Sequence, residues 1–283
     1  MMTVSDSSQN LEITRALYLQ LLKRSILDLI RPEKGQFTFL SSRRTLAHRI
    51  LGGFDRILKT QNLRIVKDRN LDIQTRIEGT SLPVNAESMI GVARMDNIHH
   101  CVTQVIRDRI EGDLIECGVF RGGATIFMRG ILKTYNSPKL VWLADSFEGL
   151  PPPSPEKYPA DKDSPYHTMS ELAVGLEEVI HNFRRYDLYD EQVKILKGFF
   201  KDTLPDAPIK ALSLIRVDGD MYESTMDTLT NLFPKLNPGG FVLIDDYDPG
   251  HYCRQAVDDY RRQQNIKNEI KMVDSKGAFW RNC

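Results

Sequence analysis

The chain has 283 residues, 41% of them apolar, and its 38 Lys+Arg balance 38 Asp+Glu to a formal net charge of zero. That length supports one large domain, or one domain with an appendage, around a real core. The charge balance excludes the global basic field of a nucleic-acid or polyanion binder. The cysteines, Cys101, Cys117, Cys253 and Cys283, are scattered without C-x-x-C or zinc spacing, and M-M-T-V-S-D-S-S-Q-N at the N-terminus lacks the basic-then-apolar pattern of a secretory signal. No uninterrupted apolar run approaches the ~20 residues of a membrane helix, so a reduced, cytoplasmic protein without a membrane partner is expected.

Residues 1–10 are polar and expected to fray. From Leu11, the stripe Leu17, Leu21, Leu22, Ile26, Leu29 and Ile30 predicts an amphipathic helix ending before Pro32. The segment 33–80 is basic (Arg43, Arg44, Arg49, Arg56, Lys59, Arg64, Lys67, Arg69), with helical fragments around 43–59 and no convincing strand. It reads as a mobile appendage or substrate cap whose charges form solvated helix faces. A boundary near 85/86 separates this N-terminal helical appendage from a main domain over 86–283, and the N-terminal helices are the candidate surface for homo-oligomers.

A second helix is predicted from Ala86 to about Arg109, and Gly112-Asp113 turns the chain into a strand over 114–117. Helix 123–134, strand 140–144, a Pro-rich loop 150–166, helix 170–186 and strand 192–196 follow. Strand 212–217, helix 223–235, the turn N-P-G-G (237–240), strand 241–245, helix 251–262 and a terminal strand pair near 268–281 complete the pattern. Strands alternating with helices of this length make βαβ units, hence an α/β fold with a Rossmann-like, doubly wound, mostly parallel sheet.

The first strand runs into G-V-F-R-G-G (118–123) and then a helix. Glycines at such a turn let a ligand approach the backbone, but the spacing is neither G-x-G-x-x-G nor a P-loop. Glu116 at the end of that strand would repel a pyrophosphate; it suits a cationic, phosphate-free cofactor such as S-adenosylmethionine. Asp145, ending the second strand, is placed to accept both ribose hydroxyls, or alternatively to cap a turn. Phe199 or Phe200, after the third strand, is positioned to flank an adenine ring or to pack in the core.

The most concentrated chemistry lies in R-V-D-G-D-M-Y-E-S (216–224) and F-V-L-I-D-D-Y (241–247). Each places carboxylates after an apolar strand, in the ligand crevice of an open α/β sheet, where they need a cation or a proton. Asp220 is expected to cap the helix beginning near Glu223. The Pro-rich loop after the second strand has the length of an active-face lid, or of a rigid polyproline surface loop.

I-E-C-G-V-F-R-G-G (115–123), A-D-S-F-E-G-L-P (144–151), G-F-F-K-D-T-L-P (198–205), R-V-D-G-D-M-Y-E-S-T (216–225) and I-D-D-Y (244–247) together resemble the macrocin O-methyltransferase family. The resemblance extends from L-Y-L-Q-L-L-K-R (17–24) through M-I-G (89–91) to C-R-Q-A-V-D-D-Y (253–260), and is weakest over 33–80. It implies a class I methyltransferase that uses S-adenosylmethionine and Mg²⁺ to methylate a hydroxyl of a small-molecule natural product, on a sugar or on a polyketide or peptide. Its implied metal ligands are Asp218, Asp245 and Asp246, and hard oxygen donors do suit Mg²⁺. Asp218 is the first candidate for general base, with His251 in reserve. The positions carried over for cofactor binding are Met89, Glu116, Cys117, Gly118, Val119, Phe120, Arg121, Gly122, Asp145, Ser146, Phe147, Gly198, Phe199, Phe200 and Asp218. An NAD-dependent oxidoreductase would use the same sheet and Asp145 but needs the glycine spacing that 118–123 lacks. A non-catalytic adenosylmethionine-binding protein would be expected to have lost the acidic cluster.

Overall fold

The computed structural model describes residues 4–30, 35–37, 46–61, 66–68, 73–83 and 86–283. The N-terminal part carries α1 (Val4–Ile26), β1 (Gly35–Phe37), α2 (Leu46–Lys59), β2 (Val66–Asp68) and α3 (Ile73–Glu78). After α4 (Val92–Arg107) come β3 (Asp113–Cys117), α5 (Gly123–Thr134), β4 (Val141–Asp145), α6 (Leu176–Arg185), β5 (Val193–Lys197), α7 (Phe200–Thr203) and β6 (Leu212–Val217). The chain continues through α8 (Tyr222–Leu232), β7 (Leu236–Ile244), α9 (Tyr252–Gln263), β8 (Lys271–Met272) and β9 (Ala278–Arg281).

The main sheet runs in the order β5-β4-β3-β6-β7-β9-β8. β3 pairs in parallel with both β4 and β6, β4 with β5 and β6 with β7, while β9 lies antiparallel to β7 and β8. Every residue of β6 is buried, the consequence of helices covering both sheet faces. Two apolar clusters fill the layers on either side: one gathers Leu114, Leu143 and Leu214 with α4 and α5, the other Ile115, Ile215 and Val242 with α8 and α9. The alternation of neighbouring strand residues between these clusters follows from the two-residue period of a strand.

Helix α1 joins the first cluster through Leu19, Leu22 and Ile26, which are 2%, 6% and 0% exposed. Spacings of three and four put these on one face, and Gly130 of α5 makes room: a Cβ there would stand 2.4 Å from Leu22. Leu17 and Leu21, which the sequence assigns to the buried stripe, are instead exposed. The helix expected from Ala86 starts only at Val92, because 86–91 forms an irregular strap ending on Gly91 as N-cap. The segment expected to hold no strand run of convincing length contains the antiparallel pair β1–β2, three residues in each strand; the rest of its sequence-based description falls partly outside the described residues. The Pro-rich stretch is ordered by short 3₁₀ turns at Pro159–Asp161, Tyr166–Thr168 and Ser170–Leu172, and α6 consequently begins later than expected.

Candidate active site

The strand order reverses between β3 and β6, and ligand crevices of doubly wound sheets open at that switch point. A cavity of about 720 Å³ lies there, over the carboxyl ends of the strands. The sequence-predicted residues Met89, Glu116, Gly118, Val119, Phe120, Asp145, Ser146, Phe199, Phe200, Asp218, Asp245, Asp246 and His251 all line it. The Pro-rich loop adds Leu150 to Ser154 and Tyr166 to its lining.

Other predicted positions lie behind this wall. Cys117 is fully buried in the second apolar cluster, and Phe147 packs in the first. Arg121 pairs with Glu178 at 3.4 Å and donates to the Ala86 carbonyl at 3.2 Å. Gly122 is the N-cap of α5 in left-handed conformation, φ 86°, so its contribution is the turn itself. Gly198, also at positive φ, stands against Thr203, where a Cβ would approach to 2.7 Å. The side chains of these residues therefore serve the frame of the cavity and not its surface.

The acidic centre is built by adjacent parallel strands. Glu116 on β3 is in register with Arg216 on β6, and Asp218 and Asp245 follow the ends of β6 and β7. Ligand oxygens of Asp218, Asp245 and Asp246 lie within 4.8 Å of one another. Arg216, 2% exposed, sits beneath them as an internal counter-charge. Its Nη1 donates to Glu116 Oε1 and to Asp218 Oδ2, each at 2.6 Å, and its Nη2 donates to Asp245 Oδ1. From α4, Arg94 Nη1 donates to Asp245 Oδ2 at 2.6 Å and its Nε to Asp274 Oδ2 at 3.0 Å.

Asp245 is thus held between two guanidiniums. Burial pushes its carboxyl up, but Arg216 and Arg94 outweigh burial and keep it below the usual range. The opposite balance holds for its neighbours. Burial, then the charge of Asp245, raises Asp218 against the pull of Arg216, and raises Asp246 too. Asp220 is pushed well up by burial and by Asp246 beside it. Carboxylates this close either share protons or bind a cation. An oxygen-only donor set with room beside it fits a divalent cation such as Mg²⁺. A second group, Asp246, His251 and Cys253, also converges within 4.8 Å, which sequence spacing had not indicated. There Cys253 Sγ already accepts from Thr225 Oγ1 at 3.0 Å, so packing engages the softer ligand.

Asp220 and His251 behave differently from their sequence-based assignment, and Asp145 takes the turn-capping role offered as its alternative. Asp220 does not cap α8: it adopts a left-handed conformation, φ 58°, and faces the cavity. The cap comes from Asp161 of the Pro-rich loop, whose Oδ1 and Oδ2 accept from the amides of Tyr222 (2.7 Å) and Glu223 (2.9 Å). His251 caps α9, its Nδ1 accepting from the Cys253 amide at 3.3 Å, so the neutral ring carries its proton on Nε2 and donates to Tyr166 Oη at 2.9 Å. With both nitrogens engaged, and burial lowering its pKa, His251 is poorly set to take a proton from a substrate. Asp145 uses Oδ1 to accept from the Phe147 amide and Oδ2 from the Val119 amide, both at 2.8 Å, which ties the glycine turn to the end of β4. Burial raises its pKa, against which the Phe120 amide and the Ser146 side chain also act by hydrogen bonding.

Arg94, Arg216 and Asp161 were not singled out from the sequence. An arginine inside the buried run L-S-L-I-R-V was the available signal, since a buried charge requires partners and the residue two positions on, on the same strand face, is Asp218. Glu116 Oε1 is satisfied by Arg216, but its buried Oε2 has no hydrogen-bond partner among the described residues. Burial pushes this carboxyl up to about 8, with Arg216 opposing. An orphaned acceptor on a cavity wall marks where a cationic donor fits.

The chain as a whole is similar to known proteins. The sequence model of the Macrocin-O-methyltransferase (TylF) family matches residues 15–282. The chain is 49% identical over 216 residues to demethyldecarbamoylnovobiocin O-methyltransferase of Streptomyces niveus, covering 76% of this chain and 82% of that protein. It is 42% identical over 273 residues to 8-demethyl-8-(2,3-dimethoxy-alpha-L-rhamnosyl)-tetracenomycin-C 4'-O-methyltransferase of Streptomyces olivaceus, covering 96% and 94%. The solved structure of the O-methyltransferase NovP superimposes with a TM-score of 0.80 at 41% identity, over 95% of this chain and 99% of that one. By sequence over nearly its whole described length and by fold, the chain belongs to the macrocin O-methyltransferase (TylF) family.

Proposed function

We propose that the chain transfers the methyl group of S-adenosylmethionine to a sugar hydroxyl of a natural product, with Mg²⁺ in the acidic centre, as a cytoplasmic enzyme of antibiotic or other secondary-metabolite biosynthesis. The observation that carries this reading is the pairing, within one cavity, of the orphaned Glu116 Oε2 with the oxygens of Asp218, Asp245 and Asp246. The first is an acceptor for an ammonium group, the second a seat for a divalent cation beside an incoming hydroxyl. The names of the relatives add the acceptor class: one acts on a novobiocin precursor and another on a rhamnosyl-bearing tetracenomycin.

When bound, the cofactor supplies an electrophilic methyl group, and the cation acidifies and orients a hydroxyl. The protein supplies the geometry. Glu116, fixed by Arg216, holds the amino-acid end of the cofactor; Asp145 and Ser146 border the ribose; Phe199 and Phe200 wall the adenine. Asp218 and Asp246, both raised toward the proton-accepting range by burial and by Asp245, hold the cation. Asp218 is the first choice to take the hydroxyl proton, since one of its oxygens is pinned by Arg216 and the side chain remains 24% exposed to the cavity. The test is methyl transfer from labelled S-adenosylmethionine to a panel of glycosylated, polyketide and peptide acceptors, with and without EDTA. Product on the glycosylated acceptors that EDTA abolishes supports the reading. Product only on polyketide or peptide hydroxyls shifts the acceptor class, and unchanged turnover in EDTA removes the cation from it.

A further inference from the structure

The strap 86–91 ahead of α4 is a wall of the cavity that belongs to no regular element, and Glu87, Ser88, Met89 and Ile90 all face the space. Irregular backbone of this kind must find hydrogen-bond partners outside itself. On one side the Glu87 carbonyl accepts from the Gly123 amide at 3.0 Å, at the start of the helix that follows the glycine turn. A Cβ at Gly123 would stand 2.6 Å from that carbonyl, so the strap lies directly on the turn.

The other side rests on α3. Arg76 of α3 is 1% exposed, and its guanidinium donates to four main-chain carbonyls: Nε to Leu27 at 2.9 Å, Nη1 to Met89 at 3.0 Å, Nη2 to Ser88 and to Ile90, the latter at 3.2 Å. Three consecutive carbonyls converging on one planar group define the curvature of the strap. Because the peptide is planar and trans, aiming the Ser88 carbonyl at Arg76 turns the Met89 amide away from it. The end of α3 reinforces the contact: a Cβ on Gly79, at φ +69°, would stand 2.2 Å from the Gly91 nitrogen, and one on Gly91 would stand 2.7 Å from the Glu78 carbonyl. Two glycine backbones touch where the N-terminal segment meets the cavity wall.

We propose that Arg76 is a positioning residue for cofactor binding, holding residues 88–90 in the shape in which they wall the cofactor half of the cavity. This rests on the S-adenosylmethionine reading given above. The basic N-terminal segment then has a function beyond covering the acceptor: through α3 it sets cofactor affinity. Lysine cannot replace Arg76 fully, because one ammonium cannot span carbonyls that a five-donor fork reaches at separate points.

The experiment is calorimetric titration with S-adenosylhomocysteine of the wild-type protein, Arg76→Lys, Arg76→Met and Gly91→Ala, alongside steady-state kinetics. Arg76→Met is expected to weaken binding by about tenfold or more and Arg76→Lys by less, with KM for S-adenosylmethionine rising in parallel and kcat at saturating cofactor within about twofold. Gly91→Ala, which disturbs the same contact from the other side, should move affinity in the same direction. A fall in melting temperature with unchanged affinity would make Arg76 merely structural and overturn the proposal. If Arg76→Met is not recovered folded, Arg76→Lys and Gly91→Ala decide, and wild-type affinity in both overturns it. Absence of binding by the wild-type protein would instead overturn the cofactor reading, and this proposal with it.

Discussion

Replacing Asp161 by alanine removes the cap of α8 and the tether of the Pro-rich loop in one step. Met221, which occupies the N-cap position, makes no side-chain cap bond, so the first turn depends on Asp161, itself 0% exposed. Loss of an N-cap acceptor costs about 1 kcal/mol. The second amide, left buried without a partner, adds about 1–2 kcal/mol. The sum, about 2–3 kcal/mol, corresponds to a melting temperature lower by about 3–5 °C in a chain of this size. Asparagine keeps an acceptor but loses the charge at the helix N-terminus, and should cost about a third to a half as much. The functional effect should be selective, because the loop supplies Leu150 to Ser154 and Tyr166 to the lining of the cavity, whereas Glu116 and Asp145 lie on the sheet. Thermal melting, acceptor KM and S-adenosylhomocysteine affinity should therefore be measured on one preparation. The expected pattern is a destabilised protein with raised acceptor KM and cofactor affinity within about twofold of wild type. A melting temperature within a degree of wild type would refute the capping argument, and equal weakening of cofactor and acceptor would refute the assignment of the loop to the acceptor side.

Other consequences concern the frame. Arg129 donates from Nε and Nη2 to the two oxygens of Asp190 (2.9 and 2.6 Å) and holds that carboxyl below its usual range. A depressed folded-state pKa gives stability that is present above the unfolded-state value and is lost as pH falls. Asp190→Asn should therefore cost about 1–2 kcal/mol at neutral pH, with the gap closing below about pH 4 in urea titrations; a pH-independent difference would contradict the ion pair. Burial pushes the Cys101 thiol up to about 12 and raises those of Cys117 and Cys253, whereas Cys283 is exposed. A thiol reagent at pH 8 should modify about one equivalent in the native protein and four after unfolding, and rapid reaction of more than one would show that the core opens. Leu17 and Leu21 on α1, with Phe54 and Ile57 on α2, are 67%, 60%, 60% and 65% exposed, the apolar surface on which pairing through the N-terminal helices would rest. Light scattering should give a multiple of 32.4 kDa, reduced by Leu17→Glu with Leu21→Glu; a wild-type monomer would retire that expectation.

The parts of the molecule legible in its sequence are those where one local rule decides. Apolar runs such as L-S-L-I and F-V-L-I are long enough for strands and too short for helices, and the helix over 123–134 is bounded by a glycine turn, so the parallel sheet and its acidic strand ends followed directly. What was not legible depends on partners distant in sequence. Asp161 lies 61 residues from the amide of Tyr222 that it caps, and Arg94 lies 151 from Asp245. The buried face of α1 was misassigned because Leu17, Leu19, Leu21 and Leu22 offer apolar stripes on several sides, and only packing against Gly130 selects one. The strap 86–91 reads as a continuation of α4 by composition, yet Arg76 takes three of its carbonyls out of any helical ladder. For Asp145 the sequence leaves a ribose contact and a turn cap open, and the turn cap is settled only by the amides of Phe147 and Val119, the latter 26 residues away.

On the proposed function one cavity has two halves, a cofactor half anchored by Glu116 and a cation half formed by the aspartates. Titration of S-adenosylhomocysteine into Glu116→Gln and Asp246→Asn separates the two. Asp246 is preferable to Asp245, whose removal would release Arg216 and Arg94 and so disturb Glu116 through the shared guanidinium. Glu116→Gln is expected to lose about tenfold or more in affinity, while Asp246→Asn should bind within about threefold of wild type and no longer transfer methyl groups. Wild-type affinity in Glu116→Gln, or unimpaired transfer by Asp246→Asn, would contradict this division.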